Sequence, residues 1–377
     1  MKFLIVRTYP SEMNIETYNV QEIGLAKAII RKGYDCDVAL FTKSNSHMDE
    51  IIIEEKVLRI YWIHGRKFAG QGIYNKKELL QLAYQYDFVQ VNEYNQIASF
   101  YLASKLKAKC YIYHGPYRDD NAIKYNLQNK IFDVIYLKRL IKLETLIFAK
   151  SKLAEQFLIN KGFSKVYTIG VGVDIDRLKA KEEVNEDIKS NKEFNLLYIG
   201  EISERRNSIF LLDVVKKVIE GMDKKVTLTI IGNGTKRYLK KFNKHVDDLE
   251  IKNNLVHLTK LRQNELGVHY EMADLFLFPT KYDIFGMVLL EAMYYGVPII
   301  SSKNGGANTL FEKEDEGCIL EKYDVDEWAD NCVRLLRDSA HRSYISINER
   351  EKLIQNYTWD SIAKKIINYL NPTIYMK

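Results

Sequence analysis

Cysteines are few in this sequence, and their spacing fits neither a metal site nor a disulfide framework. The 377 residues include four, at Cys36, Cys110, Cys318 and Cys332, and no two of them form a C-x-x-C pair. Zinc sites and small disulfide-bonded domains both need closely or regularly spaced cysteines. We therefore expect reduced, buried thiols.

Long apolar runs are also missing. No stretch approaches the roughly 18 apolar residues that a membrane-spanning helix requires. The apolar start of the chain, MKFLIV (1–6), is too short for a secretory signal and predicts a first strand instead. These two absences favour a cytoplasmic protein.

Two motifs that often identify nucleotide or metal chemistry are absent. No G-x-G-x-x-G follows the first strand, which argues against an oxidoreductase with a dinucleotide cofactor. No D-x-D pair for Mg²⁺ stands in a suitable turn at the end of a strand. The sequence therefore predicts neither a metal site nor a bound cofactor.

What the sequence does contain is a long alternation of β-rich runs and helical patterns. Residues 19–33, for example, fit an amphipathic helix that ends at Gly33. Because strands alternate with helices and 46% of the residues are hydrophobic, we expect two α/β domains, each a doubly wound parallel sheet. The predicted strands are 2–10, 36–42, 57–63, 87–93, 109–115, 146–151 and 165–171, then 194–200, 225–234, 254–261, 275–280, 298–302 and 317–321.

A charged segment separates these two series of strands. Residues 174–193, DIDRLKAKEEVNEDIKSNKE, lack a strong apolar period and predict a surface connection. The two domains are therefore expected over 1–173 and 174–357, with a cleft between them.

Basic charge is concentrated in one region of the first domain. Between residues 124 and 165, nine Lys and Arg residues stand against three acidic ones, an excess of six that equals the formal net charge of the whole chain. Lys138, Arg139 and Lys142 lie beside apolar residues, and such a surface would suit an anionic membrane; a solvated helix face explains the same pattern. The apolar residues are Ile131, Val134, Ile135, Leu140 and Ile141. No recognition motif or aromatic stacking pattern accompanies the charge, so nucleic acid is not an expected partner.

Glycine and small polar residues in the second half gather in turns that directly follow strands. The carboxyl ends of parallel strands meet at one edge of a sheet, where helix N-termini can bind anions. Arg205 and Arg206 add two cations there, so backbone N–H groups and guanidinium groups could hold a diphosphate without a metal. The four turns are 198–207, 230–234, 279–286 and 301–309.

The segment YDIFGMVLLEAMYYGVPIISS (282–302) resembles the E-x7-E signature of family 4 nucleotide-sugar glycosyltransferases, with Asp283 where the first glutamate usually stands and Glu291 as the second. The likeness covers most of the chain, although residues 43–110 match only in pattern. The other matching segments are LIFAKS (146–151), KVYTIGVGVD (165–174), GNG (232–234), MADLFLFPT (272–280) and NGG (304–306).

The resemblance implies the GT-B fold, which has two Rossmann-like domains that face a central cleft. Residues 1–173 would then form the acceptor-side domain and residues 174–357 the domain that binds the nucleotide sugar. The C-terminal helix, 358–377, would pack back on the first domain.

Residue roles also follow from the resemblance. Glu291 would accept hydrogen bonds from the ribose, Asp283 would bind hydroxyls of the donor sugar, and Arg206 aligns with a diphosphate-binding lysine. His114, at the end of a strand, would face the donor sugar. The catalytic residues so implied are His114, Arg206 and Asp283, and the donor-binding residues are Arg205, Gly232, Phe285, Gly286, Met287 and Glu291, with the backbone N–H groups near 285–287 facing the sugar and diphosphate.

The sequence departs from the family pattern at two places. Glu201 stands after the strand glycine, where an arginine is common, and the loop 10–19 lacks paired glycines. The grip on the phosphates would then depend on Arg205, Arg206 and backbone donors, and closure over the leaving phosphate would be organised differently.

The implied reaction is transfer of a sugar from a nucleoside diphosphate sugar, with UDP favoured, to a hydroxyl of a saccharide or lipid-linked acceptor. Retention of anomeric configuration and a role in bacterial surface polysaccharide or glycoconjugate synthesis, at the inner face of the membrane, are included in the same expectation. Two alternatives stay open: a GT-B nucleotide-sugar epimerase, which the pair Asp283 and Glu291 disfavours, and a non-catalytic subunit that binds nucleotide sugars.

Overall fold

The computed structural model describes residues 1–15, 20–120, 123–178, 193–312 and 317–370. Some residues of three predicted segments lie outside these ranges: 16–19 of the first loop, 179–192 of the charged connection and 371–377 of the terminal helix. The chain forms two compact units. The first domain contains Met1–Gly172 and the chain from Tyr357 onward, and the second contains Val173–Asn356.

A nine-stranded sheet forms the centre of the described portion of the first domain, in the order β3-β4-β2-β1-β6-β7-β8-β9, with β5 paired to β4. Its strands are β1 (Lys2–Val6), β2 (Asp35–Thr42), β3 (His47–Ile53), β4 (Lys56–Phe68), β5 (Gln71–Tyr74), β6 (Phe88–Asn92), β7 (Cys110–His114), β8 (Leu146–Ala149) and β9 (Val166–Thr168). Its helices are α1 (Gln21–Arg31), α2 (Lys76–Ala83), α3 (Ile97–Leu106), α4 (Ile123–Phe132), α5 (Lys138–Ile141), α6 (Lys152–Asn160) and α15 (Trp359–Leu370).

The expectation that this first sheet would be wholly parallel is wrong. β3 and β5 run antiparallel to β4, and neither strand was predicted. β3 is mostly exposed, so it lacks a buried apolar run, and its turn to β4 is Glu54-Glu55, without the Gly or Asn that usually identifies a hairpin. The turn to β5 has positive φ at both Ala69 and Gly70, as a tight hairpin requires.

Two glycines shape α1: Gly33 ends the helix, and Gly24 lets α15 pack closely on it. Gly33 follows α1 with φ of 91°, as predicted for a glycine stop. The Trp359 ring of α15 packs so closely on α1 that a Cβ on Gly24 would lie 2.4 Å from Trp359 Nε1. Asp360 and Arg31 form an ion pair at 2.6 Å beside this contact. The terminal helix therefore belongs to the packing of the first domain.

The second domain contains one parallel sheet in the order β12-β11-β10-β13-β14-β15. This order reverses direction between β10 and β13, and ligands of open α/β sheets bind at such a reversal. Its strands are β10 (Glu193–Ile199), β11 (Lys225–Ile231), β12 (Leu255–Leu258), β13 (Leu275–Phe278), β14 (Ile299–Ser302) and β15 (Cys318–Leu320). Its helices are α7 (Ile175–Leu178), α8 (Ser208–Glu220), α9 (Lys236–Asp248), α10 (Gly267–Met272), α11 (Met287–Tyr295), α12 (Ala307–Leu310), α13 (Val325–Arg337) and α14 (Ser339–Asn356).

Side-chain caps start several of these helices where the sequence changes from strand to helix. Ser151 accepts a hydrogen bond from the Ala154 amide at the start of α6, and Asp324 does the same for Glu327 at the start of α13. None of the helices in the described ranges is long and apolar enough to cross a bilayer.

Each domain has its own hydrophobic core between its sheet and its helices. The four cysteines are free thiols, as expected. Cys36, Cys110 and Cys332 are buried, whereas Cys318 is only half-buried because it lies in the edge strand β15.

One acidic side chain lies inside the second core. Glu349 of α14 is fully buried where this helix packs on α11. Burial raises the pKa of the Glu349 carboxyl well above its ordinary value, because water is excluded from the charged form. The folded protein therefore binds a proton here that the unfolded chain releases at neutral pH.

This proton makes the second domain less stable as the pH rises. Below the ordinary glutamate pKa, Glu349 is protonated in both the folded and the unfolded state. Between that pKa and the raised pKa of the folded state, the free energy of unfolding falls by about 1.4 kcal/mol per pH unit. We expect the melting temperature of the Glu349→Gln variant to exceed that of the unmodified protein by more at pH 8 than at pH 5. Calorimetry measures both melting temperatures. Glu351→Gln, at an exposed position of the same helix, is the control, and an equal difference at both pH values would contradict a neutral Glu349.

Candidate functional site

Four loops meet backbone to backbone at the carboxyl edge of the second sheet. They are the turns after β10, β11, β13 and β14, which are neighbouring strands. A Cβ on Gly232 would lie 1.9 Å from the Gly200 carbonyl oxygen, and one on Gly306 would lie 1.5 Å from that of Phe285. Only glycine fits such contacts, so these residues let the four predicted turns come together.

Arg206 and Asp283 join the loop after β10 to the loop after β13. Arg206 Nη1 forms an ion pair with Asp283 Oδ2, and both side chains are mostly buried, at 18% and 14% exposed. The guanidinium carbon lies 5.3 Å from the centroid of the Phe278 ring, a cation–π contact. Arg206 Nε is buried and has no hydrogen-bond partner among the residues that the structure describes. The Arg206 guanidinium is therefore fixed in place, and its Nε–H group can still donate a hydrogen bond.

Asp283 also shapes the turn that leads into α11. Its Oδ1 accepts a hydrogen bond from the Phe285 amide at 3.1 Å, so this N–H group is already satisfied within the protein. Asp283 is not the helix cap, because the residue before α11 is Gly286, which has φ of 77°. The left-handed glycine lets the chain turn sharply from Asp283 into the helix.

Arg205 lies beside this pair but has different partners. Its Nη1 donates to the Tyr282 carbonyl oxygen at 2.9 Å, and its Nη2 is 3.6 Å from Glu201 Oε2. Glu201, the residue that departs from the family pattern, thus pairs with Arg205 rather than with Arg206. Because both groups of this pair are about half exposed, the attraction between them is weak.

Glu291 lies one turn into α11 and is buried, with 7% of its surface exposed. The Tyr270 hydroxyl donates to Glu291 Oε2 at 2.9 Å. Burial raises the pKa of Glu291 to about 7, and the hydrogen bond from Tyr270 partly opposes that rise. The carboxyl is therefore divided between its charged and neutral forms near physiological pH. No motif in the sequence identifies Tyr270 as its partner.

Asn304 organises the loop after β14. It is fully buried, and its Oδ1 accepts hydrogen bonds from the amides of Gly306 and Ala307, both at 3.1 Å. The next residue, Gly305, donates its amide to the Asp283 carbonyl oxygen at 3.2 Å. The predicted turn 301–309 is thus attached directly to the turn that contains Asp283.

His114 lies at the carboxyl end of β7 in the first domain and is fully buried. Its Nδ1 is 2.7 Å from Glu93 Oε2, which also accepts from the Gly115 amide at 3.2 Å. Burial raises the pKa of Glu93, but His114, Lys150 and the Gly115 amide together lower it below its usual range. His114 Nδ1 also lies 3.4 Å from the Tyr94 amide nitrogen, and Nε2 has no hydrogen-bond partner among the described residues.

Glu93 was not predicted, although the sequence contains a signal for it. Asn92 and Tyr113 are register partners in the parallel strands β6 and β7. The residues that follow them, Glu93 and His114, must therefore stand side by side at the same edge of the sheet. Strand-end residues gather at this edge for the same reason as the four turns of the second domain.

The structure thus places the nine predicted site residues in two groups. His114 belongs to the first domain, and the other eight belong to the second. Across the described ranges, no group of three or more His, Cys, Asp or Glu side chains is arranged to hold a metal ion.

The comparisons with known proteins concern mainly the segment that contains the second group. Residues 180–356 match the family model described as glycosyl transferases group 1. An uncharacterised glycosyltransferase of Methanocaldococcus jannaschii is 30% identical over 174 residues, which are 46% of this chain and 43% of that protein. A GDP-mannose-dependent alpha-(1-6)-phosphatidylinositol monomannoside mannosyltransferase of Mycobacterium tuberculosis is 25% identical over 210 residues, 53% of this chain and 54% of that protein.

The alignments therefore span about half the length of these curated relatives. Among solved structures, HepE of Anabaena in complex with UDP covers 99% of this chain and 100% of its own, with a TM-score of 0.74 and 18% sequence identity. At this identity the likeness concerns the fold, which is GT-B. Residues 180–356 thus belong to the glycosyl transferases group 1 family, within a chain that has the GT-B fold.

Proposed function

We propose that this protein is a glycosyltransferase that moves a sugar from a nucleoside diphosphate sugar, with UDP favoured, to a hydroxyl of a saccharide or lipid-linked acceptor. The observation that carries the proposal is the edge of the second sheet, where Arg206, Asp283 and the buried Glu291 stand within the segment that matches the family. The second domain would bind the donor and the first domain the acceptor.

The donor contacts follow from the chemistry of each group. The diphosphate would lie against Arg205, Arg206 and the glycine-rich turn around Gly232, where a backbone without side chains can approach closely. Glu291 would accept hydrogen bonds from the ribose, and Asp283 would bind the donor sugar.

Catalysis would depend on stabilising the leaving diphosphate, because Arg206 is fixed before the charge develops. Retention of configuration, with the leaving diphosphate helping to accept the acceptor's proton, needs no protein nucleophile. His114 would hydrogen-bond the donor sugar through Nε2, the nitrogen that has no partner among the described residues.

A lipid-linked acceptor would bring the protein to a membrane, and the first domain has a surface that suits one. Apolar side chains one helical turn apart form an exposed stripe on α4 and the turn after it, and basic residues flank them. Val134 is 83% exposed and Ile123 is 76% exposed. We define the apolar stripe as Ile123, Leu127, Ile131, Val134 and Ile135.

This stripe differs in place from the sequence expectation, which included Leu140 and Ile141. Leu140 is fully buried in the core, and Ile141 packs against the same core. Ile131, Val134 and Ile135 are exposed, and the stripe extends from them toward the start of α4, beside Lys124 and Lys130. An amphipathic surface of this kind can rest on an anionic bilayer, and a role in bacterial surface polysaccharide or glycoconjugate synthesis is consistent with it.

The donor assignment is tested with a panel of UDP-, GDP- and ADP-sugars. The preferred donor should raise the melting temperature of the purified chain, and Arg206→Ala should lower its turnover about 100-fold or more, because a fixed donor to the leaving group is lost. Arg237→Ala, at an exposed position of α9, is the control. Unimpaired turnover of Arg206→Ala would remove Arg206 from this role, and binding without turnover would favour the non-catalytic subunit.

The pKa of Glu291 predicts a pH dependence of donor binding. Only the carboxylate can accept hydrogen bonds from both ribose hydroxyls, so affinity should rise about tenfold from pH 6 to pH 8 around a midpoint near 7. The diphosphate of a nucleotide sugar does not titrate in this range. Affinity is measured by calorimetry.

Variants of two tyrosines test whether Glu291 causes this pH dependence of donor binding. Tyr270→Phe removes the hydrogen bond that lowers the pKa of Glu291, so the midpoint should move to higher pH. Tyr295→Phe is the control, because its ring stacks on Tyr270 while its hydroxyl donates to the Leu178 carbonyl oxygen. A pH profile that Glu291→Gln leaves unchanged would exclude Glu291 as its source.

The membrane contact is tested by flotation with liposomes. The protein should float with vesicles rich in phosphatidylglycerol and not with pure phosphatidylcholine. Val134→Glu should reduce recovery about tenfold, because burying the valine in the interface is worth about 1.5 kcal/mol. Ile347→Glu, an exposed apolar residue of α14, is the control. If recovery of the unmodified protein does not depend on the lipid, the proposed membrane contact of the apolar stripe is wrong.

A further inference from the structure

A cavity of about 590 Å³ lies in the first domain between α4, the turn after it and α6. Its wall combines cationic, amide and apolar groups, and no sequence motif identifies it. Three of its side chains are cations, Arg118, Lys130 and Lys161, and one is a carboxylate, Asp133.

The carboxylate does not neutralise the cavity, because it already has partners within the domain. Asp133 Oδ2 forms an ion pair with Lys161, and its Oδ1 accepts from the Tyr94 hydroxyl at 3.0 Å. Arg118 and Lys130 therefore remain as a surplus of two positive charges on the wall. Such a surplus favours an anion with more than one negative oxygen.

A buried amide on the same wall lacks a partner. Asn129 is 4% exposed, and its Oδ1 lies 3.1 Å from the Tyr94 hydroxyl, which shares its single proton between Asn129 and Asp133. Its Nδ2 has no hydrogen-bond partner within the described ranges of the chain. Buried polar groups in folded proteins are nearly always satisfied, so an unsatisfied N–H donor beside two cations indicates a ligand with acceptor oxygens.

The rim of the cavity is apolar and continuous with the exposed surface of α4. Leu127 and Val134 line the cavity and also belong to the apolar stripe. On another side, Phe157 lines the cavity and stacks with the His114 ring at 6.2 Å. The charged group of a ligand here would be separated from His114 by a single aromatic ring, and its apolar tail would lie along the stripe.

We propose that this cavity binds the phosphate group of an amphiphilic acceptor, a lipid phosphate or diphosphate whose tail follows the apolar stripe. Arg118 and Lys130 would neutralise the phosphate, and Asn129 would donate a hydrogen bond to it. The proposal rests on the proposed glycosyl transfer, because it names the class of acceptor, but it concerns binding to the first domain alone.

Calorimetry with three probes tests it: farnesyl diphosphate below its aggregation concentration, farnesol, and inorganic diphosphate. Farnesyl diphosphate should bind more tightly than either of the others, because it alone presents both the charge and the tail. Arg118→Gln combined with Lys130→Gln should weaken it about tenfold or more. Lys105→Gln, at an exposed position of α3 outside the cavity wall, is the control and should bind like the unmodified protein.

Each remaining outcome has a defined meaning. Equal affinity of the double variant for farnesyl diphosphate, or no binding by the unmodified protein, would overturn the site. Inorganic diphosphate that binds as tightly as farnesyl diphosphate would overturn the amphiphilic ligand, because the cavity would then recognise a free phosphate. Binding of the preferred nucleotide sugar, measured on the same samples, should be unchanged by the double substitution. If the unmodified protein does not bind the nucleotide sugar, the donor assignment is contradicted and the lipid result stands.

Discussion

Backbone contact between loops is the constraint on which the functional edge of the second domain depends. Parallel strands bring the turns after β10, β11, β13 and β14 to one edge, but a side chain in these turns would hold them apart. A Cβ on Gly305 would lie 2.1 Å from the Ile284 carbonyl oxygen, next to Asp283. Arg206 and Asp283 belong to different loops, and these two loops are joined where the Lys281 amide donates to the Arg205 carbonyl oxygen at 2.9 Å. The ion pair is thus a consequence of the backbone and depends on it.

The charges at this edge are compensated within the domain, whereas those of the first-domain cavity are not. Arg206 pairs with Asp283, and Arg205 pairs with Glu201. A buried cation without an acid would be costly, so Asp283 keeps Arg206 in place until a ligand shares it. The half-exposed pair of Arg205 with Glu201 contributes little to this. In the first domain, Arg118 and Lys130 have no such compensation on the cavity wall, and that difference is consistent with ligands that bring their own charge.

The four central strands of the second domain could be predicted well because each contains a buried apolar run and is followed by a turn with polar or glycine residues. The hairpin strands β3 and β5 could not, since exposed antiparallel strands need no apolar run and Glu54 turns without glycine. The E-x7-E segment identified Asp283 and Glu291, but the sequence says nothing about their partners. Tyr270 reaches Glu291 from another helix, 21 positions away, and such a contact exists only after the chain has folded.

The surroundings decide the charge of one kind of side chain at Glu93, Glu291 and Glu349. Glu93 has His114 and Lys150 beside it and stays ionised, whereas burial leaves Glu349 neutral. Glu291 lies between these cases, because a single hydroxyl donor offsets its burial only incompletely and leaves its pKa at about 7. A ligand that donates two hydrogen bonds to Glu291 would favour the ionised form and release a proton as it binds. The hydrogen bond from Tyr270 lowers the cost of that ionisation, and this is the physical reason for a tyrosine at a position that no motif identifies.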